Sequence, residues 1–275
     1  MFIRGDCLDV MRGMKEDSVD LVFCSPPYEA ARTYGIGFNL SGQEWVDWAK
    51  ERFLECIRVC RGLVAWVVAG RTRKFAWSAT PALLQADLFR SGVQLRNPPI
   101  YHRSGIPGSG GPDWFRNCYE TIICAAGILP WSDNLACGKP PKYRKGSNTT
   151  ARKPNGERNE GMFEYDPPAV ANPGNVFYFP SGGGHGYCGE NEAPFPEGLA
   201  EIFIRSFAAP RAIVLDPFCG SGTTCLVAKR FGRESIGIDI RESQIELSQR
   251  RWNAETVFAA PRPVDSLGGA ETSDS

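Results

Sequence analysis

The chain has 275 residues, 42% of them hydrophobic, which is enough for a sizeable core and lies between the usual lengths of one domain and two. Its 31 basic and 31 acidic side chains cancel to a formal net charge of zero, so total charge does not announce a nucleic-acid binder. The longest apolar runs, such as Leu63–Ala69, are far too short for a bilayer span, and charges at Arg4, Asp6, Asp9, Arg12, Lys15, Glu16 and Asp17 interrupt any signal-peptide core.

Phe2-Ile3-Arg4 predicts a short strand ending at Gly5-Asp6-Cys7. The continuous apolar run Val19–Cys24 predicts a buried strand. Residues 43–60 repeat helically, with Val46, Ala49, Phe53, Ile57 and Cys60 on one face. Leu63–Ala69 is a second buried strand, and a helix over 80–90 ends at Gly92. Strand-like stretches follow around Val93–Tyr101, weakened by Pro98 and Pro99, and at Tyr119–Ala125. Residues 127–190 change character to Gly, Pro, Asn and charge, with no period except near Asn175–Phe179. Regular structure returns as helix 197–207, strand 212–215, helix 222–231, strand 234–239 and helix 241–252. The tail from 259 to 275 has a disordered composition. Strands alternating with helices predict a parallel sheet in an α/β fold.

Ten cysteines include no Cys-x-x-Cys pair, and His102 and His185 are the only histidines, so no metal site is expected. Cys24 and Cys124, inside apolar runs, read as small buried hydrophobes. That usage fits a reducing cytosol. One basic stretch stands out. Residues 137–158 hold Lys139, Lys142, Arg144, Lys145, Arg152, Lys153 and Arg158 against Glu157 alone. It reads as a phosphate-binding surface or as a solvated polar loop.

Two segments carry chemistry. The first is Ser25-Pro26-Pro27-Tyr28, directly after the strand Val19–Cys24. The second is Asp216-Pro217-Phe218-Cys219-Gly220-Ser221-Gly222-Thr223-Thr224, between a strand and a helix. Gly220 and Gly222 let a ligand approach the backbone, and the following helix offers free N–H groups. Thr223 or Thr224 can add a hydroxyl. Asp239 ends the next strand, 23 positions after Asp216, where an acid can accept from two ribose hydroxyls. A phosphate-binding loop would need a lysine that Gly222-Thr223-Thr224 lacks, and a dinucleotide turn would need glycine where Cys225 stands. A purely structural glycine turn is the remaining alternative for this segment taken alone.

Together the two segments resemble the signature motifs of S-adenosylmethionine-dependent DNA amino-methyltransferases. Their order, acceptor motif first, resembles the permuted β group, which methylates cytosine N4 or adenine N6. The resemblance covers roughly residues 1–126 and 185–252. It implies a Rossmann-like seven-stranded sheet of order 3-2-1-4-5-7-6, with catalytic parts 1–126 and 185–258 and a target-recognition region over 127–184. It also implies a cofactor site that includes Asp6 and Cys7 and the segment Ala193-Pro194-Phe195-Pro196-Glu197. On this resemblance Ser25 and the Pro26 carbonyl accept from the target amine, Tyr28 stacks on a flipped-out base, and Lys139, Lys142, Arg144, Lys145, Arg152 and Lys153 meet DNA. Expected partners are double-stranded DNA and a cognate restriction endonuclease, with the chain a cytosolic monomer or homodimer. Serine in the first motif position is commoner in the cytosine-N4 branch. RNA or protein-glutamine methylation and an inactive DNA-binding module are the rival functions.

The proline pairs in Asn97-Pro98-Pro99-Ile100 and Asp166-Pro167-Pro168-Ala169 lack the aromatic fourth residue and read as loops. No Pro-Cys dipeptide exists for attack on a ring carbon. Trp45 and Trp48 read as helix packing, and His102 and His185 as loop or structural residues.

Overall fold

The structure is a computed structural model that describes residues 1–29, 37–73, 76–103, 114–142, 155–157, 166–180 and 196–255. Ten strands and six helices lie in these residues. The strands of the main sheet are β1 (Phe2–Arg4), β2 (Val19–Cys24), β3 (Cys60–Val68), β6 (Ile100–Arg103), β7 (Tyr119–Ala125), β8 (Val176–Phe179), β9 (Ile213–Asp216) and β10 (Glu234–Asp239). A small hairpin, β4 (Thr72–Arg73) with β5 (Ala76–Trp77), stands apart. The helices are α1 (Cys7–Arg12), α2 (Gly42–Val59), α3 (Thr80–Arg90), α4 (Glu197–Phe207), α5 (Thr223–Arg230) and α6 (Glu242–Ala254).

The sheet runs β1-β10-β9-β2-β3-β7-β6-β8. Its first five strands are parallel, and β7 is antiparallel to both β3 and β6. This is the strand sequence that the resemblance implies, with β8 added at the edge, parallel to β6. The region 127–184 therefore supplies one strand to the sheet, through the short apolar run near Asn175–Phe179. Asp133 N–H also bonds the Ser206 carbonyl of α4 at 2.8 Å, and Cys137 is buried in the core, so its first residues lie on the α/β body.

Burial on both faces explains why the central strands are apolar without alternation. Val19, Val22 and Cys24 of β2 face one core with Val64, Trp66 and Val68 of β3, under α2 and α3. Leu21 and Phe23 face the other with Leu63, Ala65 and Val67, under α4 and α5. Phe23 stacks on Phe203 of α4 with ring centroids 4.7 Å apart.

Two local differences from the sequence reading have plain causes. α1 has only 6 residues, too short for a helical period to register, and depends on Asp6, whose Oδ1 accepts from Leu8 N at 2.8 Å. The stretch Val93–Tyr101 forms a strand only from Ile100, because two prolines precede it; Leu95 makes an isolated bridge to Ala125. Among the described residues nine cysteines are free thiols, and Cys24 and Cys124 are buried as expected. No described helix is long and apolar enough to cross a membrane, and no described group of His, Cys, Asp and Glu could hold a metal ion.

Candidate active site

Four parallel strands end side by side, and each end carries a residue singled out in the sequence. Asp6 follows β1, Asp239 ends β10, Asp216 ends β9 and Ser25 follows β2. Residues far apart in sequence meet here because β9 and β2 are adjacent, with Val22 opposite Leu215. Strand order reverses between them, and open α/β sheets form their ligand crevice at that point. A hydrogen bond ties the cofactor motif to the strand that leads into the acceptor motif: Thr224 Oγ1 donates to the Phe23 carbonyl at 3.3 Å. The Thr224 hydroxyl is thus engaged inside the protein.

The glycine turn is held from three sides. Gly222 has φ +79° and caps α5, and a Cβ there would meet Ser248 Oγ at 2.9 Å. Ser248 Oγ donates to the Gly220 carbonyl at 2.6 Å. Arg251 Nη1 donates to the Ser221 carbonyl at 2.6 Å and to Ser221 Oγ at 2.9 Å, while its Nη2 reaches Glu197 at 3.4 Å. The start of α4 is thereby tied to the turn. Pro194 and Phe195 lie outside the described residues.

The acids around the turn differ in their surroundings. Asp216 is fully enclosed and accepts from Phe218 N at 3.0 Å; burial raises its carboxyl to about 7. Asp239 accepts from Gly220 N at 3.1 Å, from Arg241 N at 2.8 Å and from the Arg241 guanidinium at 3.2 Å. Asp6 takes Arg52 Nη2 on both oxygens, at 3.1 and 3.0 Å. Cys7 beside it is buried, and burial pushes its thiol up to about 12, which keeps it neutral. Over this rim lie rings: Phe218 contacts Trp48 and Trp66 at 5.7 and 5.4 Å between centroids, and Arg52 stands 4.6 Å over Trp48. The pattern suits a ligand with an apolar plane, hydroxyls for Asp239 and an anionic end for the α5 N-terminus. Pro217 and Cys219 shape the turn, Cys219 N bonding the Ile238 carbonyl at 2.8 Å.

On the acceptor side the loop after β2 is fixed by groups that sequence reasoning missed. Trp45 Nε1 donates to the Pro27 carbonyl at 2.8 Å, so this buried tryptophan packs and also sets the proline loop. Glu29 accepts from Gly42 N at 2.8 Å and Thr80 Oγ1 at 3.1 Å. Ser25 Oγ donates to Tyr28 Oη at 3.1 Å, and Tyr28 Oη donates to Glu120 Oε2 at 2.6 Å. Arg103 pairs with Glu120 Oε1 at 2.9 Å. The one available signal was a lone acid inside the apolar strand Tyr119–Ala125. Arg52, Ser248 and Arg251 sit on amphipathic helices, where their inward placement shows only in three dimensions.

Of the basic stretch, Lys139 and Lys142 are exposed, and Lys139 pairs its backbone with Ala171. Arg144, Lys145, Arg152 and Lys153 lie outside the described residues, as does the tail 259–275 and His185. His102 lies in β6 beside Tyr178, with ring centroids 5.1 Å apart.

A family model described as DNA methylase (N6_N4_Mtase) matches residues 19–250. The type II methyltransferase M.HpaI of Haemophilus parainfluenzae is 27% identical over 92% of this chain and 74% of its own. The DNA adenine methyltransferase YhdJ of Escherichia coli K12 is 28% identical over 94% of this chain and 84% of its own. In fold, the chain is similar to the cytosine-N4-specific PvuII DNA methyltransferase, with a TM-score of 0.70 and 21% identity over 91% of this chain and 85% of that one. It is also similar to TTHA0409 of Thermus thermophilus complexed with S-adenosyl-L-methionine, with a TM-score of 0.60 and 21% identity over 92% and 95%.

Proposed function

We propose that this chain, which belongs to the N6_N4 family of DNA methylases, moves a methyl group from S-adenosylmethionine to the N4 amine of a flipped-out cytosine. The observation that carries this reading is the adjacency of the two motifs at the β9–β2 switch point, bridged by Thr224 and Phe23. The acceptor motif preceding the cofactor motif supports assignment to the β group.

S-adenosylmethionine, when bound, supplies an electrophilic methyl on a sulfonium. The rest belongs to the chain. The Gly220–Thr223 turn and the first N–H groups of α5 hold the carboxylate end. Asp239 accepts from the ribose hydroxyls, for which its contact with the Arg241 guanidinium must loosen. Asp6, oriented by Arg52, accepts from the adenine amine, with Cys7 and Phe218 beside the ring. Pro194 and Phe195 are assigned to the methionine end by the resemblance of their segment alone. An exocyclic amine is conjugated with its ring and is a poor nucleophile. Ser25 Oγ and the Pro26 carbonyl accept its two hydrogens and draw the nitrogen toward tetrahedral geometry. Pro26 and Pro27 restrict φ, and Trp45 grips the Pro27 carbonyl, so this placement is rigid. Tyr28 stacks on the base, which must leave the duplex to be reached.

Residues 127–184 serve target recognition, with Lys139, Lys142, Arg144, Lys145, Arg152 and Lys153 on phosphates. A type II relative supports a restriction endonuclease as cognate partner. Serine at position 25 and the fold shared with a cytosine-N4-specific enzyme support N4. Adenine N6 is the second reading, supported by the similarity to an adenine methyltransferase. Incubation of duplex DNA with tritiated cofactor, then digestion and nucleoside mass spectrometry, tests both. N4-methylcytosine is expected; N6-methyladenine in its place would overturn the base, and label in RNA or protein alone would overturn the substrate class.

A further inference from the structure

Glu120 is a buried acid on the acceptor side to which the methyl-transfer scheme gives no task. It projects from β7, is 7% exposed, and meets Tyr28 on one oxygen and Arg103 on the other. An ionised carboxylate only accepts. The Tyr28 hydrogen therefore points at Glu120, and the Ser25 hydrogen points at Tyr28. Ser25 then faces the base with lone pairs, which is what an amine donor needs. We infer that Glu120 is a positioning residue that sets the direction of the Ser25–Tyr28 chain and receives the surplus proton of the methylated amine through it.

The inference rests on the methyl-transfer reading. The amine lone pair forms the new N–C bond as the methyl–sulfur bond breaks, its electron pair staying on sulfur. The nitrogen is left positive with one proton too many. That proton passes to Ser25 Oγ while the Ser25 proton moves to Tyr28 Oη and the Tyr28 proton to Glu120 Oε2. The product amine, Ser25 and Tyr28 end neutral, and Glu120 becomes a neutral acid that solvent must deprotonate before the next turnover. Among the described residues, the groups facing Glu120 are Arg103 and Tyr101 from β6 and Tyr28 from the loop after β2. Burial pushes its carboxyl up, while Arg103 and the Tyr28 hydrogen bond pull it down.

Glu120→Gln discriminates because Arg103 can only donate. The new amide turns its oxygen to Arg103 and its NH2 to Tyr28, which reverses the chain and points the Ser25 hydrogen at the amine. Tyr28→Phe keeps the ring and cuts the chain. Single-turnover methylation should fall about 100-fold or more in each variant, with DNA affinity held within about twofold. The double variant should be no slower than the slower single. A 13C NMR titration of Glu120 in the protein alone should give a midpoint that matches the acid limb of the wild-type rate profile. That limb should vanish in either variant, so Tyr28→Phe decides the matter if Glu120→Gln does not fold. Multiplying effects in the double variant would overturn the inference, as would an acid limb that survives Tyr28→Phe. A wild-type protein that transfers no methyl at all would overturn the parent reading and this one with it.

Discussion

Replacing Gly222 by alanine isolates the contact that shapes the cofactor turn. At φ +79° an L-residue bears left-handed strain of about 1–2 kcal/mol. The added Cβ would also lie 2.9 Å from Ser248 Oγ and 3.1 Å from Ser248 Cβ, closer than a side chain tolerates. Ser248 is fully buried and cannot swing into solvent. Moving it forfeits its 2.6 Å bond to the Gly220 carbonyl, a loss of about 1 kcal/mol. The expected destabilisation is about 2–3 kcal/mol. Gly232 provides the control: its φ is +71°, but a Cβ there meets nothing within 4 Å. Gly232→Ala should show the strain alone, about 1–2 kcal/mol. Urea denaturation followed by circular dichroism measures both. Equal destabilisation would refute the reasoning, because it would mean that Ser248 yields without loss.

Three further outcomes are expected. Asp216, held near 7 by burial against an ordinary 3.8, keeps its proton in the folded state where the unfolded chain has lost it. That contribution is fully present below 3.8, declines as pH rises from there and is spent once pH passes about 7, so the Asp216→Asn variant should lose less stability than wild type between pH 6 and pH 8. Urea midpoints at the two pH values check this, and identical slopes would refute it. Asp239→Ala should weaken S-adenosylmethionine by about 1–3 kcal/mol in calorimetry; unchanged affinity would remove it from the ribose site. Charge reversal at Lys142, Arg144 and Lys145 should weaken DNA binding and flatten the plot of log affinity against log salt by about 3. An unaltered slope would return that stretch to a solvated loop.

Most elements could be read along the chain because their patterns are local. The strands Tyr119–Ala125 and Glu234–Asp239 and the helix Glu197–Phe207 have the expected bounds. Val19–Cys24 was legible because a strand buried on both faces must be apolar at every position. The failures are also local: a 6-residue helix carries too few positions for a period, and a hairpin of two-residue strands carries none.

The candidate site divides in the same way. Ser25–Tyr28 and Asp216–Thr224 are contiguous, and their prolines and glycines restrict or free the backbone whatever surrounds them, so each motif stands in the sequence as a unit. The groups that hold them do not. Arg52 reaches Asp6 across 46 positions, Arg251 reaches Ser221 across 30, and Glu120 reaches Tyr28 across 92. No periodicity encodes such pairings, because they depend on which strands become neighbours and how α2 and α6 rotate onto the sheet. The same holds for the charge state of Asp216. Its composition is that of any aspartate, and only enclosure by the packed sheet and turn withdraws the water that would keep it ionised.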